Sequence, residues 1–269
     1  MSQSSPAGLQ LEALPLPLPV GVQSFDFKDS FSRDFEGSCH ALAAFGFRLI
    51  DYIWLGRNPT VSPAVHALTG PDVRRIFDDA GLQCLNCHFS WAEWHEDYAA
   101  CVATARALGA ESVVCHALAA RAKSADDWRW QAGELNALAA RMKADGFACG
   151  YHNYPLEFTD VDGVTPYDLL MAETDPSLIQ FQIDTGNVAI AGKDPVAYLE
   201  KYADRYYSIH LKDARGGKLG VAVGEGELDW RRILASTRQM PLRHYIIEAG
   251  SPLMEKLGAS IAYLRTFRP

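Results

Sequence analysis

Eight short apolar runs, near residues 19–26, 47–54, 82–89, 111–117, 147–153, 179–185, 206–212 and 244–249, recur along this chain with helix-like segments between them. A strand, a crossover helix and a second strand require parallel pairing, because the helix carries the chain back to the end from which it started. Eight such units predict a closed (β/α)8 barrel in a single domain over 19–269. The 269 residues, 48% of them apolar, suit that size. No G-x-G-x-x-G follows the first run, which argues against an open dinucleotide-binding sheet.

The segment boundaries support the rhythm. Ser124 and Asp127 have the spacing of a capping box, and Thr165-Pro166 and Asp194-Pro195 set a cap before a proline suited to a first helical turn. Gly70-Pro71-Asp72 does similar work, and Gly81 and Gly146 stand where the helices RRIFDDA and LNALAARMKAD should stop. The first 18 residues, rich in Ser, Pro and Leu without a sustained period, read as a poorly ordered leader.

A net charge of −8 leaves no basic field for a phosphate backbone, so no nucleic-acid partner is expected. No run approaches the roughly 18 apolar residues of a membrane span, and the start lacks the pattern of an export signal. A cytoplasmic protein without a membrane partner is the expectation. The six cysteines (Cys39, Cys84, Cys87, Cys101, Cys115 and Cys149) then read as reduced thiols. Cys84 and Cys87 form a C-x-x-C, but three residues apart on a strand they are expected on opposite faces, and no second pair completes a zinc site. Gly224-Glu225-Gly226 reads as a turn before the helix near Asp229, since Glu225 and Glu227 would repel phosphate.

Four of the runs end in a polar residue where a barrel strand opens onto solvent: His152 in YHN, Asp184 in QIDTGN, His210 in SIHLKD and Glu248 in YIIEAG. Period two puts Gln180, Gln182 and Asp184 on one face, Ser208, His210 and Lys212 on another against Tyr207, Ile209 and Leu211, and His244, Ile246 and Glu248 on a third. The ends of barrel strands converge on one cavity, so two imidazoles and two carboxylates make a ligand set for a divalent ion of the zinc, manganese or cobalt kind. His152 and Glu157 compete for the fourth ligand position. Such an ion would polarise a keto sugar and stabilise an enediolate; Glu157 or Glu248 is the candidate base, and Lys212 faces the developing charge. His88 and His116 end the third and fourth runs and are candidates for binding substrate hydroxyls. Trp54 and Trp91 are candidates for an aromatic wall against a sugar ring.

From GVQSFDF onward, the segments GYHNYPLEF, FQIDTGN with AGKDPVAYLEKY, YYSIHLKDA, VGEGELDW and IIEAG resemble the sugar phosphate isomerase/epimerase family, the xylose-isomerase-like TIM barrels. The resemblance covers about nine tenths of the chain, with HLKD and D-x-G-N its most specific parts. It implies a metal at the barrel mouth (manganese, magnesium, cobalt or zinc) held by Asp184, His210 and Glu248; His152 and Lys212 are candidate catalytic residues from their places at the strand ends. Two departures stand out: His152 occupies the place of a ligand glutamate, in a Y-H-N-Y rather than Y-H-N-H setting with Tyr154, and Asp51 replaces a second-strand glutamate. The resemblance therefore implies first a metal-dependent isomerase or epimerase of a keto sugar or polyol. A lyase acting on a keto inositol or oxo-glycal is the alternative, and a non-catalytic sugar-binding barrel the third reading. Members of the family often pair, which leaves room for a homodimer.

Overall fold

The structure, a computed structural model, describes residues 14–56, 58–116, 122–250 and 252–267. Eight strands close a barrel: β1 (Val20–Gln23), β2 (Leu49–Ile53), β3 (Gln83–Ser90), β4 (Ser112–His116), β5 (Ala148–His152), β6 (Ile179–Asp184), β7 (Tyr206–Leu211) and β10 (His244–Ile247). Their order is β1-β10-β7-β6-β5-β4-β3-β2 and every pairing is parallel. Between β7 and β10 lies an antiparallel hairpin, β8 (Asp213–Arg215) and β9 (Lys218–Val221). Each of the eight apolar runs is a barrel strand, and the chain is a single-domain (β/α)8 TIM barrel. Among the described residues, no helix is long and apolar enough to cross a membrane. Most of the expected leader, residues 1–13, lies outside the described residues; within 14–18, Leu14, Leu16 and Leu18 pack against the core.

The helix boundaries follow the sequence signals. Ser124 and Asp127 form a reciprocal capping box on the helix Ala125–Ala144, and Asp194 caps Pro195–Lys201 by accepting from the Val196 amide. Upstream, the cap is Thr69, paired with Asp72, so Gly70 is the first helical residue rather than the cap. Gly81 takes φ 73° as it ends that helix, a left-handed conformation that favours glycine.

Strand pleating sorts the side chains into two layers. Tyr52, Tyr151, Phe181, Ile183, Ile209, Leu211, Tyr245 and Ile247 face outward into one apolar cluster with Phe77, Trp128, Trp230 and Leu257 from the helices. Burying one such side chain stabilises the fold by about 1.5–3 kcal/mol. The inner layer is polar instead: Gln23, Asp51, Asn86, His88, Gln182, Ser208, His210 and His244 are all buried.

Two register shifts break the expected period. Cys84 pairs with Ile50, Asn86 with Asp51 and Cys87 with Tyr52, which leaves Leu85 as an extra residue. Partners on parallel strands share a face, so Cys84 and Cys87 lie on the same outward side rather than on opposite ones; both are buried free thiols. On β7 the shift falls between Phe181↔Tyr206 and Gln182↔Ser208, making Tyr207 the extra residue. Its ring meets His244 edge-on at 5.9 Å inside the barrel, so Tyr207 does not join Ile209 and Leu211 on the outer face. A Cβ on Gly150 would collide with that tyrosine, which accounts for the glycine.

Asp213, at the end of the HLKD segment, organises the loop that follows. Its Oδ2 accepts from the amides of Gly224 (2.9 Å) and Gly226 (3.1 Å) and from Trp230 Nε1 (2.7 Å). The two glycine amides of the Gly-Glu-Gly turn are thus committed to a buried carboxylate and the Glu225 amide to the Ala222 carbonyl, which bears out the turn reading over a phosphate loop.

Candidate metal centre

The four strand-end residues converge. One ligand atom each from His152, Asp184, His210 and Glu248, all buried, lies within 4.8 Å of the others. His152 Nε2 is 3.3 Å from His210 Nδ1 and 3.5 Å from Asp184 Oδ2. His210 Nδ1 is 2.8 Å from Glu248 Oε2 and 4.0 Å from Asp184 Oδ2. The register explains the meeting, since Asp184 and His210 are direct partners on β6 and β7.

Local chemistry aims each group. Asp184 is the cap of the short helix Thr185–Ile190; its Oδ1 accepts from the Asn187 amide (2.8 Å) and its Oδ2 from Asn187 Nδ2 (3.0 Å). Asn153 Oδ1 takes the Asp184 amide at 2.9 Å, and Asn187 Nδ2 reaches Asn153 O, so the ends of β5 and β6 are tied together. A Cβ on Gly186 would approach Lys212 Cγ to 2.9 Å, so the glycine of D-T-G-N makes room for the lysine stem. Lys212 Nζ then sits 2.5 Å from Glu248 Oε1 and 3.3 Å from Asp184 Oδ2.

The charge states follow from burial and contacts. Burial keeps His152 neutral, pulling it down to about 4. Burial would lower His210 too, but Asp51 and Glu248 overcome it and raise the imidazole to about 10. For Lys212, Asp184 and Glu248 likewise outweigh burial and hold the ammonium well above its ordinary value. Burial would raise the Asp184 and Glu248 carboxyls, yet Lys212 and the imidazoles hold both low.

The donor set fits a divalent ion. Two ligands bound tetrahedrally at about 2.05 Å are about 3.3 Å apart, the separation of the two facing imidazole nitrogens. His152 Nδ1 is buried without a hydrogen-bond partner, leaving this ring anchored only through the nitrogen that faces the cluster.

Other expected residues divide. His88 and His116 lie beside the cluster: His88 Nε2 is 2.9 Å from Asp51 Oδ1, with its ring 5.8 Å from His152, and His116 Nδ1 is 3.2 Å from the Tyr154 hydroxyl. His116 Nε2 is buried and unpartnered. Glu157 is turned away. It accepts from the hydroxyl of outward-facing Tyr151 and from the Tyr154 amide (3.1 Å), and burial raises it to about 7. His152, not Glu157, therefore stands in the ligand cluster, and Glu157 is no base for it. Trp54 packs edge-on against Tyr52 on the shell side and lines a narrow cleft with Phe89 and Cys101. Trp91 lies 4.1 Å from His95 and rests on the core. Both half-buried tryptophans thus pack against neighbouring side chains.

Two residues went unassigned in the sequence. Asp26, three residues past the end of β1, accepts from the Gly250 amide (2.7 Å); burial and then Glu248 raise it to about 6. Its place after a strand end was the available signal. Asp51, inward on β2 between Ile50 and Tyr52, accepts from five side chains.

Two buried imidazoles and two carboxylates, backed by a lysine at the C-terminal ends of parallel barrel strands, could hold a divalent ion at the mouth of the barrel. Residues 39–267 match the xylose isomerase-like TIM barrel family, and the chain belongs to it. An inosose dehydratase of Clostridium beijerinckii is 36% identical over 94 residues, covering 35% of this chain and 31% of that enzyme. The curated relatives are matched over well under half of their own length, 42% for the inosose dehydratase of Salmonella typhimurium. The crystal structure of a sugar phosphate isomerase/epimerase from Parabacteroides distasonis superposes with a TM-score of 0.79 at 20% identity, covering 92% of this chain and 93% of that one. The zinc-bound IolI protein superposes with a TM-score of 0.69 at 12% identity, covering 92% and 95%. At these identities the two structures speak for the fold alone.

Proposed function

We propose that the protein is a metal-dependent lyase that removes water from a cyclic polyol ketone of the keto inositol kind. The observation that carries this reading is that, among the described residues, neither Glu157 nor Glu248 stands free as a base at the centre. Epimerisation or isomerisation through a pair of flanking glutamates needs a base on each side, yet Glu157 is turned into the shell, and Glu248 is engaged by Lys212 and His210. The similarity to inosose dehydratases points the same way, so the lyase takes precedence over the isomerase or epimerase.

His152, Asp184, His210 and Glu248 would hold the ion, which would supply Lewis-acid polarisation of the substrate carbonyl. The chain's own groups supply the rest. His116, kept neutral by burial and then by His88 and His152, has a buried Nε2 without a hydrogen-bond partner and takes the proton from the carbon next to the ketone. The electron pair of that C–H bond moves toward the carbonyl oxygen, where the Lys212 ammonium faces the growing charge. Re-forming the carbonyl expels the β-hydroxyl, which takes the proton back from His116 and leaves as water. An α,β-unsaturated ketone remains.

Incubation of manganese- or cobalt-loaded protein with an inosose tests the reading. Growth of an enone absorbance with loss of one water by mass spectrometry is expected. A product of unchanged mass would overturn it in favour of isomerisation.

A further inference from the structure

Asp51 lies at the centre of the barrel, with no exposed surface. Its Oδ2 is reached by Gln23 Nε2 (3.0 Å), Gln182 Nε2 (3.2 Å) and His210 Nε2 (2.8 Å). Its Oδ1 is reached by Asn86 Nδ2 (2.7 Å) and His88 Nε2 (2.9 Å). A carboxylate has about four lone-pair sites, so five converging donors saturate it. Asp51, His88 and His210 are close enough to be considered a second ion site, but the carboxylate oxygens are already committed to these donors.

An ionised carboxylate only accepts, so each nitrogen facing it must carry hydrogen. For His210 this fixes the proton on Nε2. The other nitrogen, Nδ1, is the atom that points at Glu248, Asp184 and His152. We propose that Asp51 is the positioning residue of the metal centre: by holding the His210 Nε2 proton it leaves Nδ1 as the nitrogen that binds the ion. The inference rests on the metal-dependent reading above but not on any substrate. A carboxylate behind a ligand imidazole both orients the ring and raises its basicity, and removing such a partner costs about 10–100-fold in metal affinity.

In Asp51→Asn the negative charge is lost, and one oxygen becomes an amide that donates, so the side chain can no longer accept from both His88 and His210. The control is Gln182→Met, which removes a donor to the same Oδ2 while leaving His210 its acceptor. Zinc dissociation constants, measured by chelator competition, should rise about 10–100-fold in Asp51→Asn and less than about threefold in Gln182→Met. Equal weakening in both variants would reduce Asp51 to a packing role and overturn the proposal. Because Asp51→Asn places a buried amide among five donors and can fail to fold, the wild type supplies an independent readout. Histidine nitrogen NMR of the zinc-loaded protein should show His210 protonated at Nε2 and bare at Nδ1, and the reverse pattern would overturn the proposal. If the wild type binds no zinc at all, the metal reading falls and this inference with it. Tight zinc in the wild type with an unaffected Asp51→Asn would sink the inference alone.

Discussion

The two faces of a single strand differ more than any two ends of the molecule. On β5 the outward Cys149 and Tyr151 join the apolar shell, while the inward Gly150 and His152 face a polar interior. On β6 the outward Phe181 and Ile183 alternate with Gln182 and Asp184 in the same way. The shell holds the barrel together by burying hydrocarbon, which is tolerant of detail. The interior holds a network of charges and imidazoles whose value depends on each partner being present. Stability and chemistry are thus separated by a single residue of chain, and substitutions should reveal which layer they touch.

Phe181→Ala should have the largest effect, on the shell alone. Loss of a fully buried ring should lower the unfolding free energy by about 3–5 kcal/mol, read by denaturant titration, with bound metal per folded chain unchanged. Loss of metal from the fraction that remains folded would break the separation. Lys212→Met should do the opposite. Turnover of an inosose should fall about 10²–10³-fold with metal retained, because the ammonium facing the developing oxyanion is gone while both carboxylates remain.

Gly226→Ala is a smaller probe, aimed at the loop that neither layer contains. A Cβ there would run into the Asp213 carboxylate, so the Asp213-centred turn must shift at a cost of about 1–3 kcal/mol. Calorimetry should show a lower Tm with metal content intact. The gentlest probe is pH. His210 is raised to about 10 from the ordinary 6.5, so its pairing with Asp51 and Glu248 stabilises the metal-free fold fully below pH 6.5 and is lost as pH climbs toward 10. Metal binding must displace the His210 Nδ1 proton, so affinity should climb by about tenfold per pH unit through neutrality. Metal-free stability and metal affinity should therefore move in opposite directions between pH 6.5 and 10, and parallel movement would contradict the charge assignment.

The fold was legible because its signals are local and repeated. Apolar runs, capping pairs such as Ser124 with Asp127, and the glycine after RRIFDDA each need only a few residues of context. The convergence of His152, Asp184, His210 and Glu248 was legible for a related reason, since period two and the strand-end rule place them together without three-dimensional information. What escaped depends on register. The extra residues Leu85 and Tyr207 reverse the parity of a strand, and nothing in the sequence around them marks a bulge. That reversal put Cys84 on the same side as Cys87 and Tyr207 inside the barrel. Glu157 was misplaced because a short 3-10 turn, Pro155–Phe158, rotates it toward the Tyr151 hydroxyl. Asp51 reads in sequence only as a departure from the family pattern, because the donors from β1, β3, β6 and β7 that meet on it are brought together by barrel closure.

Bound metal in purified wild type and in His210→Ala, measured by elemental analysis after chelator dialysis and reloading, tests the central claim most directly. About one equivalent per chain in the wild type and none in the variant is the predicted result for a single four-ligand site. A wild type that retains no metal, or a variant that retains it in full, would contradict the assignment of His152, Asp184, His210 and Glu248 as a metal centre.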